Sequence, residues 1–244
     1  MLNVIVTGGS RGLGLAIARA LAGAGYRVIA VARSETEELH IASRTALEEG
    51  RGAIEFRACD LSEIEQIGAF VRALRADFGA LYGLVNNAGI GTAGVLGTMR
   101  DKDIERLIRL NTISPIVLTK YVVRSMMTEH SGRIVNISSI VAATGYSGLS
   151  VYSASKASLV GFTRSLAREI GQLGITVNAI APGFIDTAMT DELSTAQREQ
   201  IARRSALRRM ADAVDVARSV EFLLGEAGRN ITGIVLTVDA GNTA

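Results

Sequence analysis

The sequence predicts an α/β fold: one three-layer domain over residues 1–244, with a seven-stranded parallel sheet covered by helices on both faces. Three observations predict it. Short β-branched runs alternate with stretches of helical periodicity from end to end. That alternation never lapses into a Pro-rich or Ser-rich linker, a repeat or a low-complexity tract, so no domain boundary is marked. A glycine-rich turn joins the first strand run directly to an apolar helical stretch, the order a doubly wound sheet requires.

Taken in order, the strand runs are Val4–Val6, Val28–Val31, Ala53–Phe56, Leu84–Val85, Arg133–Ile137, Thr176–Ile180 and Val235–Val238. Apolar residues at helical spacing fill Leu13–Ala24, Glu63–Phe78, Asp101–Leu110, Val117–Thr128, Ala154–Gln172 and Ala213–Leu224, giving at least six helices. Between Pro182 and Ala211 the periodicity weakens in a polar, charge-rich segment. A long insert at a sheet's carboxyl edge is often functional, which makes 186–207 a candidate lid over a reaction centre. Its Met189 and Leu193 fit an apolar pocket lining and ordinary helix contacts equally well.

Composition narrows the function classes. With 48% hydrophobic and 20% charged residues, the 244-residue chain can bury a full core. A net charge of +2, with both signs scattered, leaves no footprint for a nucleic-acid partner. The apolar runs are strand-length, far short of the ~20 residues that cross a bilayer. Cys59 has no partner for a disulfide, and the first strand run begins at Leu2, leaving no room for a cleavable leader; a cytoplasmic protein is expected. His40 and His130 lack ligand spacing, so no metal is expected.

The turn Thr7-Gly8-Gly9-Ser10-Arg11-Gly12-Leu13-Gly14 lies between strand and helix. Glycines there admit positive φ and bring backbone amides close to a pyrophosphate, while a helix N-terminus supplies unpaired N–H groups. A purely steric strand-to-helix turn has the same composition. Thr7 to Gly14 resembles the TGxxxGxG motif of the short-chain dehydrogenase/reductase family, and Asn86-Asn87-Ala88-Gly89 resembles its NNAG motif. The resemblance runs over essentially the whole chain. It implies a Rossmann-type fold and a nicotinamide dinucleotide held by Gly8, Ser10, Arg11, Gly12, Leu13, Gly14, Asn87, Ala88 and Gly89.

The choice of dinucleotide rests on the end of the second strand. An acidic residue there would bind the ribose 2′-OH and repel a 2′-phosphate, but the chain has Ala32-Arg33. Arg33 offers a planar fork for phosphate, and Arg11 can approach from the glycine turn, so NADP(H) is expected. The competing reading makes Arg33 a solvated strand-end residue. By resemblance Asp60, with Leu61 beside it, meets the adenine; an Asp two residues before a helix is equally a cap.

Tyr152 and Lys156 stand at i and i+4, so on a helix both project from one face. Positive charge from the lysine and an oxidised nicotinamide favours phenolate and would lower the Tyr152 pKa. A surface pair on an amphipathic helix has the same spacing. Ser139 follows the strand Arg133–Ile137, at a sheet edge where ligands bind, and can hydrogen-bond a carbonyl oxygen. Alternation sends the neighbouring Ser138 to the opposite face. Asn111 interrupts a helical stretch that it suits poorly, which marks either a kink or a functional position. By resemblance Asn111, Ser139, Tyr152 and Lys156 are the catalytic set, with Asn111 holding a water of the proton relay and Tyr152 and Lys156 also touching the dinucleotide. Pro182 and Gly183 after the sixth strand resemble the family's PG motif, which implies that Ile185 and Thr187 touch the nicotinamide; Pro182 could also merely stop a strand.

Gly183–Thr190 and Ala167–Ile170 are similar to the 3-oxoacyl-(acyl-carrier-protein) reductase branch. That implies reduction of a 3-oxoacyl thioester, carried on acyl carrier protein or CoA. The branch tends to carry basic docking residues where this chain has His130 and Leu173, although Arg124, Arg133 and Arg168 remain available. A small ketone, polyol or sugar is the alternative substrate. The rival class is a non-catalytic NADP(H)-binding regulatory protein, which would be expected to have lost one of the four reacting residues. Near the C-terminus Val238-Asp239-Ala240-Gly241 replaces the more usual DGG. Leu159, Phe162, Leu166 and Ile170 form one apolar line from 157 to 170, and Val160, Thr163 and Ala167 the next. A helix that broad packs on two sides and, with Val117–Met127, leads us to expect a homotetramer.

Overall fold

The computed structural model describes residues 1–91, 94–185 and 194–244. Its strands are β1 (Asn3–Thr7), β2 (Arg27–Ala32), β3 (Ala53–Ala58), β4 (Leu81–Asn86), β5 (Gly132–Ile137), β6 (Ile175–Pro182) and β7 (Val235–Val238). They form one sheet in the order β3-β2-β1-β4-β5-β6-β7, parallel at every pairing. The helices are α1 (Gly12–Gly23), α2 (Glu37–Glu49), α3 (Ile64–Phe78), α4 (Asp101–Ile108), α5 (Ser114–Glu129), α6 (Val141–Thr144), α7 (Ser150–Ile170), α8 (Thr195–Arg204) and α9 (Ala213–Leu224).

Alternating side chains divide each strand between two cores. Val4, Val6, Val28 and Ala30 pack with Ile17 and Leu21 of α1 and Val216 and Val220 of α9. Ile5, Ile29, Val31 and Ile134 pack on the other side with Ile67 of α3, Leu118 and Met126 of α5 and Leu166 of α7. Both faces are therefore covered, which is why the strands read as continuous apolar runs. The chain order reverses between β1 and β4, which pair side by side. The crevice outside their carboxyl ends is the switch point where such sheets bind ligands.

Some elements differ from the expected ones. The helix α2 escaped the periodicity because its apolar stripe is thin, with only Leu39, Ala42 and Ala46 buried. Its signals are local: Thr36 Oγ1 accepts from Leu39 N at 3.2 Å, and Gly50 closes it in the left-handed region at φ 66°. The stretches Asp101–Leu110 and Val117–Thr128 are one helical body, joined through a π-helical turn at Arg109–Ile113. Within the weakly periodic insert, α8 forms behind a capping box of Ser194 and Gln197 but buries none of its side chains. Ala240 takes φ 56°, the conformation glycine usually supplies. The turn is held by the Asp239 carboxylate, which accepts from Gly241 N at 2.8 Å and from Thr243 N and Oγ1 at 2.9 and 2.7 Å. Among the described residues no helix is long and apolar enough to cross a membrane, and no His/Cys/Asp/Glu cluster could hold a metal ion.

Candidate active site

The turn after β1 is shaped by a close approach. A Cβ on Gly14 would lie 2.1 Å from the Gly8 carbonyl oxygen, so any side chain there would force the turn open. Gly8 and Gly12 hold φ at 65° and 53°, and nothing lies within 4 Å of where a Gly12 side chain would stand. Arg11, at the N-cap of α1, makes no side-chain cap, and the first amide bond of the helix runs from Leu15 N to Arg11 O at 3.2 Å. The amides of Gly12, Leu13 and Gly14 precede it and have no acceptor within the helix. This donor set fits a pyrophosphate. Behind it, Ser10 is buried, and its carbonyl accepts from Thr36 Oγ1 at 2.6 Å.

Arg11 in the glycine turn and Arg33 after β2 are exposed, and among the described residues neither has an ion-pair partner. Asp60 Oδ1 accepts from Ser62 N and Oγ at 2.9 and 2.6 Å. Those bonds hold its carboxyl below the usual range, with attraction from Arg33 and Arg106 adding to them. Asp60 is thus a turn cap that also faces Arg33. Leu61 is buried in the core of the α3 face.

Thr7 joins β1 to the loop after β4. Its hydroxyl accepts from Asn87 N and Ala88 N, both at 2.9 Å, while Asn87 Nδ2 donates to Thr7 O at 2.8 Å. Gly89 then passes close to two of the expected catalytic residues: a Cβ there would stand 3.2 Å from Asn111 Oδ1 and 3.5 Å from Lys156 Nζ. Asn111 lies in the π-helical turn and is fully buried, so the irregularity expected of a poor helix former is present. Its Oδ1 accepts from Ile90 N at 2.9 Å, and its Nδ2 donates to Ile90 O at 2.9 Å and to Ser155 Oγ at 3.2 Å.

On α7, which begins one turn before the apolar periodicity, Tyr152 and Lys156 share a face, with Lys156 Nζ 5.8 Å from the Tyr152 ring centroid. The ammonium donates to Ile137 O at 2.9 Å, and burial pushes its pKa down to about 8. For Tyr152 the protein's own groups act in the opposite sense to such positive charge. Burial raises its pKa, and a hydrogen bond with Ser139 only partly opposes that. Desolvation outweighs that bond, so the protein's own groups favour the protonated phenol. Ser138 turns into the core, donating to Lys156 O at 2.9 Å, and leaves the half-buried Ser139 facing Tyr152.

After β6, Ile140 N donates to Pro182 O at 3.0 Å, carrying the β5–β6 pairing one step past the strands. Gly183 must be bare, because a Cβ would lie 2.7 Å from Asp239 Cβ. Ile185 is buried and bridges to Ala211. Thr187 lies outside the described residues, as do Asp186, Met189 and Leu193 of the expected lid.

Sequence reasoning missed the polar ladder behind this site. Asn86 Nδ2 donates to Thr119 Oγ1 at 3.0 Å and to Asn136 Oδ1 at 2.8 Å; Asn136 Nδ2 donates to Thr163 Oγ1 at 2.8 Å. All four side chains are buried, and they tie β4 and β5 to α5 and α7. An asparagine inside a buried apolar strand was the available signal, since such a group demands partners.

Fold and site together define a dinucleotide-dependent dehydrogenase. Residues 2–198 match the model of the short chain dehydrogenase family, and the chain belongs to that family. Among its relatives are the 3-oxoacyl-[acyl-carrier-protein] reductases FabG of Escherichia coli, 41% identical over 237 residues, and of Pseudomonas aeruginosa, 41% over 239. Each match covers 97% of this chain and 95% of the relative. Among solved structures, a blue fluorescent protein from a metagenomic library, in complex with NADPH, superposes with a TM-score of 0.90 at 36% identity, covering 100% of this chain and 98% of that one.

Proposed function

We propose that the protein uses NADPH to reduce the 3-oxo group of an acyl thioester to an alcohol. The observation that carries this reading is the connected set of Asn111 and Lys156 against Gly89, Tyr152 beside Lys156 on α7, and Ser139 hydrogen-bonded to Tyr152, in a chain that also carries the glycine turn. The FabG relatives support a 3-oxoacyl substrate, and the NADPH-bound neighbour supports the cofactor.

Gly8, Ser10, Arg11, Gly12, Leu13 and Gly14 cradle the pyrophosphate, and Arg11 and Arg33 take the 2′-phosphate. Asp60 and Leu61 border the adenine; Asn87, Ala88, Gly89, Pro182, Gly183, Ile185 and Thr187 line the path to the nicotinamide. When bound, NADPH supplies the hydride. Ser139 donates a hydrogen bond to the substrate oxygen, and Tyr152 gives that oxygen its proton. The raised pKa of Tyr152 keeps the phenol in the acid form that reduction needs. Lys156 places positive charge beside the developing phenolate, and Asn111 orders the route by which the proton is replaced.

Arg33 tests the cofactor assignment. Arg33→Asp replaces the phosphate-binding fork with a carboxylate that repels a 2′-phosphate and accepts from a 2′-OH. The NADPH to NADH ratio of kcat/KM with acetoacetyl thioester is expected to fall by ~10²-fold or more. An unchanged ratio would remove Arg33 from the cofactor site.

The carrier is less favoured than the acyl group. Arg133 cannot supply docking charge: it is buried, donates to Gly132 O and Gly174 O, and lies over the Tyr82 ring. Arg124 and Arg168 remain exposed. Assembly as a homotetramer belongs to the same reading, but its support has moved. Leu159, Thr163, Leu166, Ala167 and Ile170 are buried within the protomer, leaving exposed Ile113, Ile116 and Met127 to be covered. Light scattering at micromolar concentration is expected to give four times the chain's 25.7 kDa mass, and a monomer contradicts it.

A further inference from the structure

Loops from the carboxyl ends of β4, β5 and β6 meet beside the reacting groups. Gly94 N donates to Gly148 O at 2.9 Å, tying the first loop to the second, and the Ile140 N to Pro182 O bond ties the second to the third. On this frame Tyr146 and Phe184 stand edge to face, with ring centroids 5.8 Å apart and planes inclined at 65°. Tyr146 is 56% exposed, on a turn flanked by left-handed Gly145 and Gly148 at φ 69° and 79°. Val95 and Leu96 are exposed on the first loop. No residue of 139–150 or 182–185 carries a charge, nor does any described residue of 89–98.

The pair is tied to the reaction centre on both sides. Phe184 lies two residues past Pro182, whose carbonyl is bonded to the neighbour of Ser139. Tyr146 O accepts from Leu149 N at 3.0 Å, and Leu149 O accepts from Ser153 N at 2.7 Å, next to Tyr152. An exposed Tyr146 backed by a half-buried Phe184 on an uncharged surface offers dispersion and apolar burial, with the Tyr146 phenol as its single polar group. A sugar or polyol needs several fixed hydrogen-bonding partners, which this pair does not provide.

We propose that Tyr146 and Phe184 form an apolar subsite for the alkyl chain of the substrate, so that acyl length sets specificity. The inference rests on the thioester reading above. Its test is a series of acetoacetyl, 3-oxohexanoyl and 3-oxooctanoyl N-acetylcysteamine thioesters, with kcat/KM measured from NADPH consumption. In the wild type kcat/KM is expected to rise about fivefold per two carbons, less than full burial of two methylenes would give. In the double variant Tyr146→Ser, Phe184→Ala the rise is expected to flatten to under about 1.5-fold, while Tyr146→Phe keeps it. Because the readout is a ratio within each variant, a general loss of rate does not imitate it. A flat wild-type series, a slope that persists in the double variant, or a slope lost in Tyr146→Phe overturns the subsite while leaving the reductase reading intact. Absence of NADPH consumption with every thioester overturns that reading itself, and the subsite with it.

Discussion

Replacing Tyr152 with Phe is expected to lower kcat for carbonyl reduction by ~10³-fold or more, with NADPH affinity and thermal stability nearly unchanged. The substitution removes one oxygen and keeps the ring that Lys156 approaches to 5.8 Å. What is lost is both a proton donor and a hydrogen-bond donor to the developing alkoxide, and the described site offers no second acid near Ser139 in that position. Ser139 stays to polarise the carbonyl, so a residual rate above background is consistent with the assignment. Steady-state rates, a fluorescence titration with NADPH and a melting curve together make the check. A variant retaining more than a tenth of the wild-type kcat would move the proton donor elsewhere.

Lys156→Met is expected to cut kcat by ~10²-fold or more and, at the same time, to stabilise the fold by about 1–2 kcal/mol at pH 7. Burial holds the folded pKa of Lys156 at about 8, below its ordinary 10.5. At 1.36 kcal/mol per unit, that displacement corresponds to roughly 3 kcal/mol of unfavourable burial of charge. Loss of the bond to Ile137 O returns part of it. The pH dependence follows from the direction of the shift. Between about pH 8 and 10.5 the unfolded chain holds the proton and the folded chain does not, so wild-type stability rises with pH there. The advantage of Lys156→Met is therefore largest below pH 8 and fades towards 10.5. In the wild type the reduction rate is expected to fall above about pH 8, as the ammonium that supports the Tyr152 phenolate is lost. Denaturant titrations of both proteins at pH 7 and pH 10 read the first effect and a pH–rate profile the second. A destabilised variant at pH 7 would show that the Ile137 bond outweighs the desolvation.

Features set by local periodicity or fixed spacing were readable without coordinates. Strands buried on both faces write themselves as β-branched runs, and the glycine turn and the Tyr152–Lys156 interval are local. Thin amphipathicity hid α2, and a polar outer surface hid α8, although Thr36 and the Ser194–Gln197 box were legible as caps. Long-range pairing was harder. Nothing local says that Asn86 meets Asn136 across 50 residues, that Lys156 bonds Ile137 O, or that Arg133 is buried against the Tyr82 ring and so withdrawn from any docking surface. The desolvation of Tyr152 is hidden for the same reason: a neighbouring charge is visible in sequence, whereas desolvation is a property of the packed site.

The central claim is direct hydride transfer from NADPH to a 3-oxo carbon. The protein, supplied with NADPH deuterated at both C4 positions and acetoacetyl N-acetylcysteamine in ordinary water, tests it in one product spectrum. The account predicts one deuterium per turnover, on the carbinol carbon of the 3-hydroxybutyryl product. Product carrying no deuterium at that carbon, or cofactor bound without any product, would contradict it.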